Sequence, residues 1–146
     1  MLGIDVSNWQ GDIQPLLEIH RPGHVCVRLS TETWASQRAI AVQQLRTVQA
    51  ANIPASGYPW CYWNLDPVRH TQDAISVAES SGVPLTITWF DAEDDTYAAP
   101  HTVIPWLHAA VNEAQRLGYR AGIYTRAQWW RDFTNDTHEF SSLPLW

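Results

Sequence analysis

Lysine is absent from this chain. All nine basic residues are arginine, set against fifteen Asp and Glu for a formal net charge of −6 with histidine neutral. A surface that tracks phosphates needs a clustered basic stripe, so this balance argues against a nucleic-acid partner. Cysteine is scarce as well. Cys26 and Cys61 are too few for a disulfide scaffold, and both fall in apolar stretches that predict buried free thiols. Glycine numbers seven, with no glycine-rich phosphate loop of nucleotide or dinucleotide type. No apolar run approaches the roughly 18 residues of a membrane-spanning helix, so no membrane span is expected. The start, Met1-Leu2-Gly3-Ile4-Asp5, has neither the basic region nor the apolar core of a secretory leader, and no signal peptide is visible there.

What is present is a chain of 146 residues, the length of one domain, which predicts a single domain over 1–146. At 45% apolar and 16% charged residues it is too rich in core formers to be disordered. Tryptophan stands out with nine copies, Trp9, Trp34, Trp60, Trp63, Trp89, Trp106, Trp129, Trp130 and Trp146. Each has a flat apolar face and a polar edge, which suits a core and also suits packing against a sugar ring. For any single tryptophan, core filling is the default.

Short apolar runs alternate with longer amphipathic ones along the chain. Strands are predicted over Leu2–Val6, Val25–Leu29, Ser56–Asn64, Leu85–Phe90 and Arg120–Tyr124, and Leu143–Trp146 opens a sixth. Between them lie helical patterns. Asp12 caps a short helix with Ile13, Leu16 and Leu17 on one face, ended by Arg21-Pro22-Gly23. The stretch Ser36–Ala51 carries Val42, Leu45 and Val48 at helical spacing. Thr71 is expected to cap a helix bearing Ala74, Val77 and Ala78, with Gly82 past its end. Residues 103–117 put Val103, Leu107, Ala110, Val111, Ala114 and Leu117 on one face, with Pro105 in the first turn. A short aromatic helix follows at Ala127–Phe133. The β-α repetition predicts an α/β fold with a parallel sheet or barrel, its strands buried on both faces.

In such folds the polar residues at the C-terminal ends of the strands face the site. Asp5 closes the first strand, and Asp91 and Glu93 close the fourth. Two apart on an extended strand, Asp91 and Glu93 point to the same face, with Cα atoms about 6–7 Å apart. Carboxylates held that close repel one another when ionised, so one tends to keep a proton near neutral pH. General-acid cleavage of a glycosidic bond needs such a proton. The bland alternative is a solvated acidic turn, which the following Asp94 and Asp95 favour. Other constellations are weaker. His20 and His24 have ligand-like spacing, but Arg21-Pro22-Gly23 breaks the helix that would aim both at one metal. Ser7 and Ser30 have no evident His-Asp company.

The residues also carry a resemblance. Gly3-Ile4-Asp5-Val6-Ser7-Asn8-Trp9-Gln10-Gly11 resembles the opening strand and loop of the glycoside hydrolase family 25 lysozymes, the N-acetylmuramidases. Val25-Cys26-Val27-Arg28-Leu29-Ser30-Thr31-Glu32 is similar to the second strand, and Phe90-Asp91-Ala92-Glu93 to the Asp-x-Glu signature ending the fourth. Gly118–Thr125 resembles the fifth strand and Leu143-Pro144-Leu145-Trp146 the start of the sixth, so the likeness runs over essentially the whole chain. It implies a modified, TIM-like β/α barrel. The implied reaction is hydrolysis of the β-1,4 bond between N-acetylmuramic acid and N-acetylglucosamine in bacterial peptidoglycan, without cofactor or metal. By position, Glu93 would be the general acid, Asp91 would support the developing positive charge, and Asp5 would complete the acidic cluster. Tyr62, Tyr124 and Trp146 would bind the glycan. The partner would be peptidoglycan glycan strands, and the place of action the bacterial cell wall.

Three departures qualify this. Thr33 stands where the family has a glycine, Ser36-Gln37-Arg38 replaces a usual acidic residue, and the chain ends at Trp146, short of the seventh and eighth strands. The expectation is an incomplete barrel of strands 1 to 5 plus the start of strand 6, prone to self-association through open edges. A non-catalytic cell-wall glycan-binding module of the same fold is the alternative function, and a hydrolase acting on another glycan is a third.

Overall fold

The computed structural model describes residues 2–30 and 35–146, so Thr31, Glu32, Thr33 and Trp34, including the end of the second-strand motif, lie outside the described residues. Five strands, β1 (Gly3–Val6), β2 (His24–Ser30), β3 (Ala55–Pro59), β4 (Thr88–Asp91) and β5 (Ala121–Tyr124), form one parallel sheet in chain order. Helices α1 (Gln14–His20), α2 (Ala35–Ala50), α3 (Pro67–Ser81), α4 (Pro100–Arg116) and α5 (Ala127–Thr134) follow the successive strands. The opening of a sixth strand is present: Leu145 pairs in parallel with Ile123, and the Ile123 amide donates to the Pro144 carbonyl at 3.0 Å. The fold is thus α/β with an open, barrel-like parallel sheet. Among the described residues no helix is long and apolar enough to cross a membrane.

Strand alternation sorts the sequence between two faces. Val6, Val25, Val27 and Leu29 join Ile13, Leu17, Leu45, Val48 and Ala74 in one apolar cluster beneath the first helices. Phe90 and Ile123 join Trp63, Trp106, Leu107 and Trp129 in a second, beneath α3 to α5. Trp63 stacks on Trp129 with ring centroids 5.5 Å apart and meets Trp106 edge-on at 5.2 Å. These tryptophans fill core, the default expected of them. Cys26 and Cys61 are buried free thiols, as expected, and burial pushes the Cys26 thiol up to about 12. Residues of opposite parity, Asp5, Arg28, Tyr58, Trp89, Asp91 and Tyr124, turn away from the helices. The strands are therefore not apolar on both faces. Helices cover one side, and the other carries polar and aromatic groups.

Several boundaries differ from the sequence reading. The third strand stops at Pro59 instead of running to Asn64. Trp60 makes one parallel bridge to Asp91, and the chain then leaves the sheet because Cys61 and Trp63 are drawn into the helix-side core. The Trp63 indole N–H fixes that departure by donating to the Asp94 carbonyl at 2.7 Å. Thr71 does not cap α3. Asp66 does, accepting from the Arg69 amide at 2.7 Å with Pro67 at the first helical position, while the Thr71 hydroxyl donates back to the Pro67 carbonyl. α4 likewise begins at Pro100, three residues before the expected start, because Pro100 suits the first helical position. Pro105 consequently lies inside the helix, on its exposed side.

Candidate active site

The acidic signature is held open by its neighbours in the sheet. The Ala92 amide donates to the Tyr124 carbonyl at 2.8 Å, and the Thr125 hydroxyl donates to the Ala92 carbonyl at 2.8 Å. With Ala92 buried in the helix-side core, Asp91 and Glu93 on either side of it both turn into a cleft on the opposite face. Asp5 arrives there from β1. The cleft measures about 300 Å³ and brings these three carboxylates together with Tyr124 and Trp146. Five of the six site residues expected from the sequence thus line one cavity.

Tyr62 does not line it. Lying beyond the end of β3, Tyr62 accepts a hydrogen bond at its hydroxyl from Arg28 at 3.3 Å and meets His70 edge-on. Its place on the wall is taken by Tyr58, Trp60 and Trp89. Parity could have found them: Tyr58 and Trp60 alternate with the core-facing residues of β3, and Trp89 lies two before Asp91. Trp89, Tyr124 and Trp146 form a connected aromatic wall, with Trp146 centroids 5.6 Å from Trp89 and 5.3 Å from Tyr124. Gly122 makes room for it, since a Cβ there would fall 2.5 Å from the Trp89 ring. On the other side the Arg28 guanidinium lies 5.5 Å from the centre of the Trp60 ring, a cation–π approach.

The three carboxylates differ in surroundings. Asp91 is buried, with 6% of its surface exposed, and its Oδ1 has no hydrogen-bond partner among the described residues. Burial, reinforced by the negative charges of Glu93 and Asp5 and opposed by Arg28 and Arg126, pushes its carboxyl up to about 7. Glu93 is more open and has a cation beside it. Arg126 Nε lies 2.8 Å from Glu93 Oε1, an ion pair that lacks the alignment of a hydrogen bond. Sequence reasoning missed Arg126, although its position two residues past Tyr124 keeps the parity of the cleft-facing residues. Burial, followed by the charges of Glu93, Asp91 and Asp5, also raises the Tyr124 phenol, which keeps it neutral.

Asp91 has a measurable consequence for stability. Its folded pKa is raised above the unfolded value, so the folded state binds more protons between about pH 4 and about pH 7. Stability from this group is greatest at the acid end and is lost as pH rises through that window. Asp91→Asn should remove the penalty. We expect the variant to melt higher than the parent at pH 8 by a margin that narrows towards pH 5, in paired thermal denaturation. Equal differences at both pH values would contradict the raised pKa.

The remaining motifs are structural. Ser7 closes the loop after β1, its amide donating to Gln10 Oε1 at 2.7 Å. His24 Nε2 lies 2.8 Å from Ser56 Oγ, apart from His20, and among the described residues no group of three His, Cys, Asp or Glu could hold a metal ion. Asp94 and Asp95 do form a surface turn, in which Asp94 accepts from the Thr96 amide at 2.9 Å. A larger cavity of about 460 Å³ adjoins the cleft and shares Trp146 with it. It contains none of the three carboxylates.

Comparison with known proteins bears on this geometry. The sequence model described as Glycosyl hydrolases family 25 matches residues 4–146. A curated relative, Counting factor 50 of Dictyostelium discoideum, is 27% identical over 88 residues, covering 59% of this chain and 29% of its own length. Among solved structures, the modular autolysin LytC of Streptococcus pneumoniae, in complex with a synthetic peptidoglycan ligand, superposes with a TM-score of 0.76 at 14% identity, covering 91% of this chain and 34% of that one. The modular Cpl-1 endolysin, complexed with a peptidoglycan analogue, gives 0.72 at 18% identity, covering 100% of this chain and 43% of that one. At such identities the structural likeness establishes the fold. The chain spans less than half the length of each of these three proteins.

Proposed function

Because this chain belongs to glycosyl hydrolases family 25, we propose that it hydrolyses bacterial peptidoglycan at the β-1,4 bond between N-acetylmuramic acid and N-acetylglucosamine. The observation that carries this is the convergence of Asp5, Asp91 and Glu93 in one aromatic-walled cleft. The walls suit sugar rings, whose apolar faces pack on Trp and Tyr. The solved neighbours bound to a peptidoglycan ligand or analogue support the choice of substrate. The place of action would be the cell wall, with glycan strands as the partner.

In this reading Glu93 donates the proton to the leaving glycosidic oxygen. It has the longer side chain and stands nearer the solvent than Asp91. Asp91 and Asp5 lie where negative charge would offset the oxocarbenium character that develops as the bond breaks. Asp91 holds a proton near neutrality in the unliganded protein, so its supporting charge is fullest once that proton has left. Tyr124, Trp146, Trp89, Trp60 and Tyr58 would hold the glycan. The proton inventory needs neither metal nor cofactor.

The test is reducing-end release from purified peptidoglycan, run beside chitin oligomers. Release from peptidoglycan alone supports the proposal, and release from chitin alone would redirect it to another glycan. A folded protein that sediments with the wall without cleaving it would be a glycan-binding module of the same fold.

A further inference from the structure

The ion pair between Arg126 and Glu93 has no part in the chemistry described so far, and it opposes it. A general acid must be protonated before the bond breaks, yet a guanidinium 2.8 Å from its oxygen stabilises the ionised form. The two side chains differ in exposure. Glu93 retains 16% of its side-chain exposure, next to the hydrogen-bonded Ala92, whereas Arg126 retains 64% and reaches over from the turn between β5 and α5. Arg126 precedes the first residue of α5 with an extended backbone, and its side chain does not cap that helix.

We propose that Arg126 is a positioning residue that gates the protonation of Glu93. In the free protein its guanidinium occupies the Glu93 carboxyl, and a glycan entering the cleft displaces it so that Glu93 can take up the proton it donates. This rests on the reading of Glu93 as the general acid. Once the guanidinium has gone, the negative charges of Asp91 from β4 and Asp5 from β1 favour uptake; Tyr124 from β5 brings a neutral phenol, and Arg28 from β2 brings a positive charge that acts on Asp91. The cluster can pass a proton internally, since Asp91 holds one near neutrality beside Glu93. No oxidant, metal or co-reactant is involved.

The experiment compares Arg126→Gln and Arg126→Lys with the parent in two measurements. The first is the alkaline limb of kcat/KM for peptidoglycan cleavage, which reports the essential acid in the free enzyme. Loss of an adjacent opposite charge raises a carboxyl by about 1 pH unit or more. We expect Arg126→Gln to move the limb up by about that much, making the variant about tenfold faster than the parent on the alkaline side. Arg126→Lys should keep the parental limb, because it keeps the charge. The second is a carbon-13 NMR titration of the Glu93 carboxyl, which needs no turnover. It should move upward in Arg126→Gln and stay in Arg126→Lys. An unmoved Glu93 titration overturns the proposal whether or not the protein cleaves. A moved titration with an unmoved limb overturns the gating of catalysis while leaving the hydrolase reading intact. If the parent does not cleave, the proposed function fails, and with it the gating of a proton donor, whatever the titration shows.

Discussion

Glu93→Gln should abolish most cleavage of peptidoglycan while leaving the fold in place. A positioned general acid contributes about 10²–10⁴ in rate, and the amide keeps the shape of the side chain but carries no transferable proton. Because Glu93 stands at the cleft and its ion-pair partner, Arg126, is exposed, its amide creates no buried unpaired charge, so the folded state should survive. The measurement is reducing-end release over a pH series, with circular dichroism on both proteins. The parent should give a bell-shaped profile with a mildly acidic optimum, and the variant should lose activity across it. Activity in Glu93→Gln within tenfold of the parent would remove Glu93 from the proton-donor role. Should Asp91→Asn prove inactive in the same assay while Glu93→Gln survives, the buried carboxyl at about pH 7 would be the donor instead.

Phe90→Ala should be the most damaging substitution for the fold. Phe90 is fully buried, is the largest of the wholly buried side chains among the described residues, and meets Trp106 edge-on with centroids 6.4 Å apart. Deleting a buried Phe side chain costs about 3–5 kcal/mol through lost transfer energy and the cavity left behind. Domains of this kind are stable by only about 5–15 kcal/mol in all. Chemical denaturation should therefore show a large drop in midpoint with little change in slope. Activity should fall with the folded fraction, since Phe90 and Asp91 are adjacent on β4 and face opposite sides of it. A loss below about 1 kcal/mol would mean that the second apolar cluster does not hold β4 against the helices.

Much of this was legible in the chain itself. Five parallel strands were marked by their apolar runs. Asp91 and Glu93 sharing a face followed from their spacing of two, and the resemblance of the Asp5 and Asp-x-Glu segments pointed to the family that matches residues 4–146. These are local properties: periodicity, parity and motif are all written in neighbouring residues. The misreadings arose where a local signal was outweighed by a distant one. Ser56–Asn64 has strand-like composition throughout, but Trp63 is taken by Trp106, Trp129 and the Asp94 carbonyl, and this ends the strand early and removes Tyr62 from the cleft wall.

The sequence by itself determined the α/β order, the identity of the acidic triad and the supply of aromatic residues. Only the tertiary structure decided which carboxyl keeps its proton and which carries a cation. Burial and the field of remote charges set a pKa, and neither can be read from residues adjacent in the chain. Asp91 and Glu93 look equivalent in sequence. The sheet buries one of them and raises its carboxyl, and the turn after β5 sends Arg126 over the other.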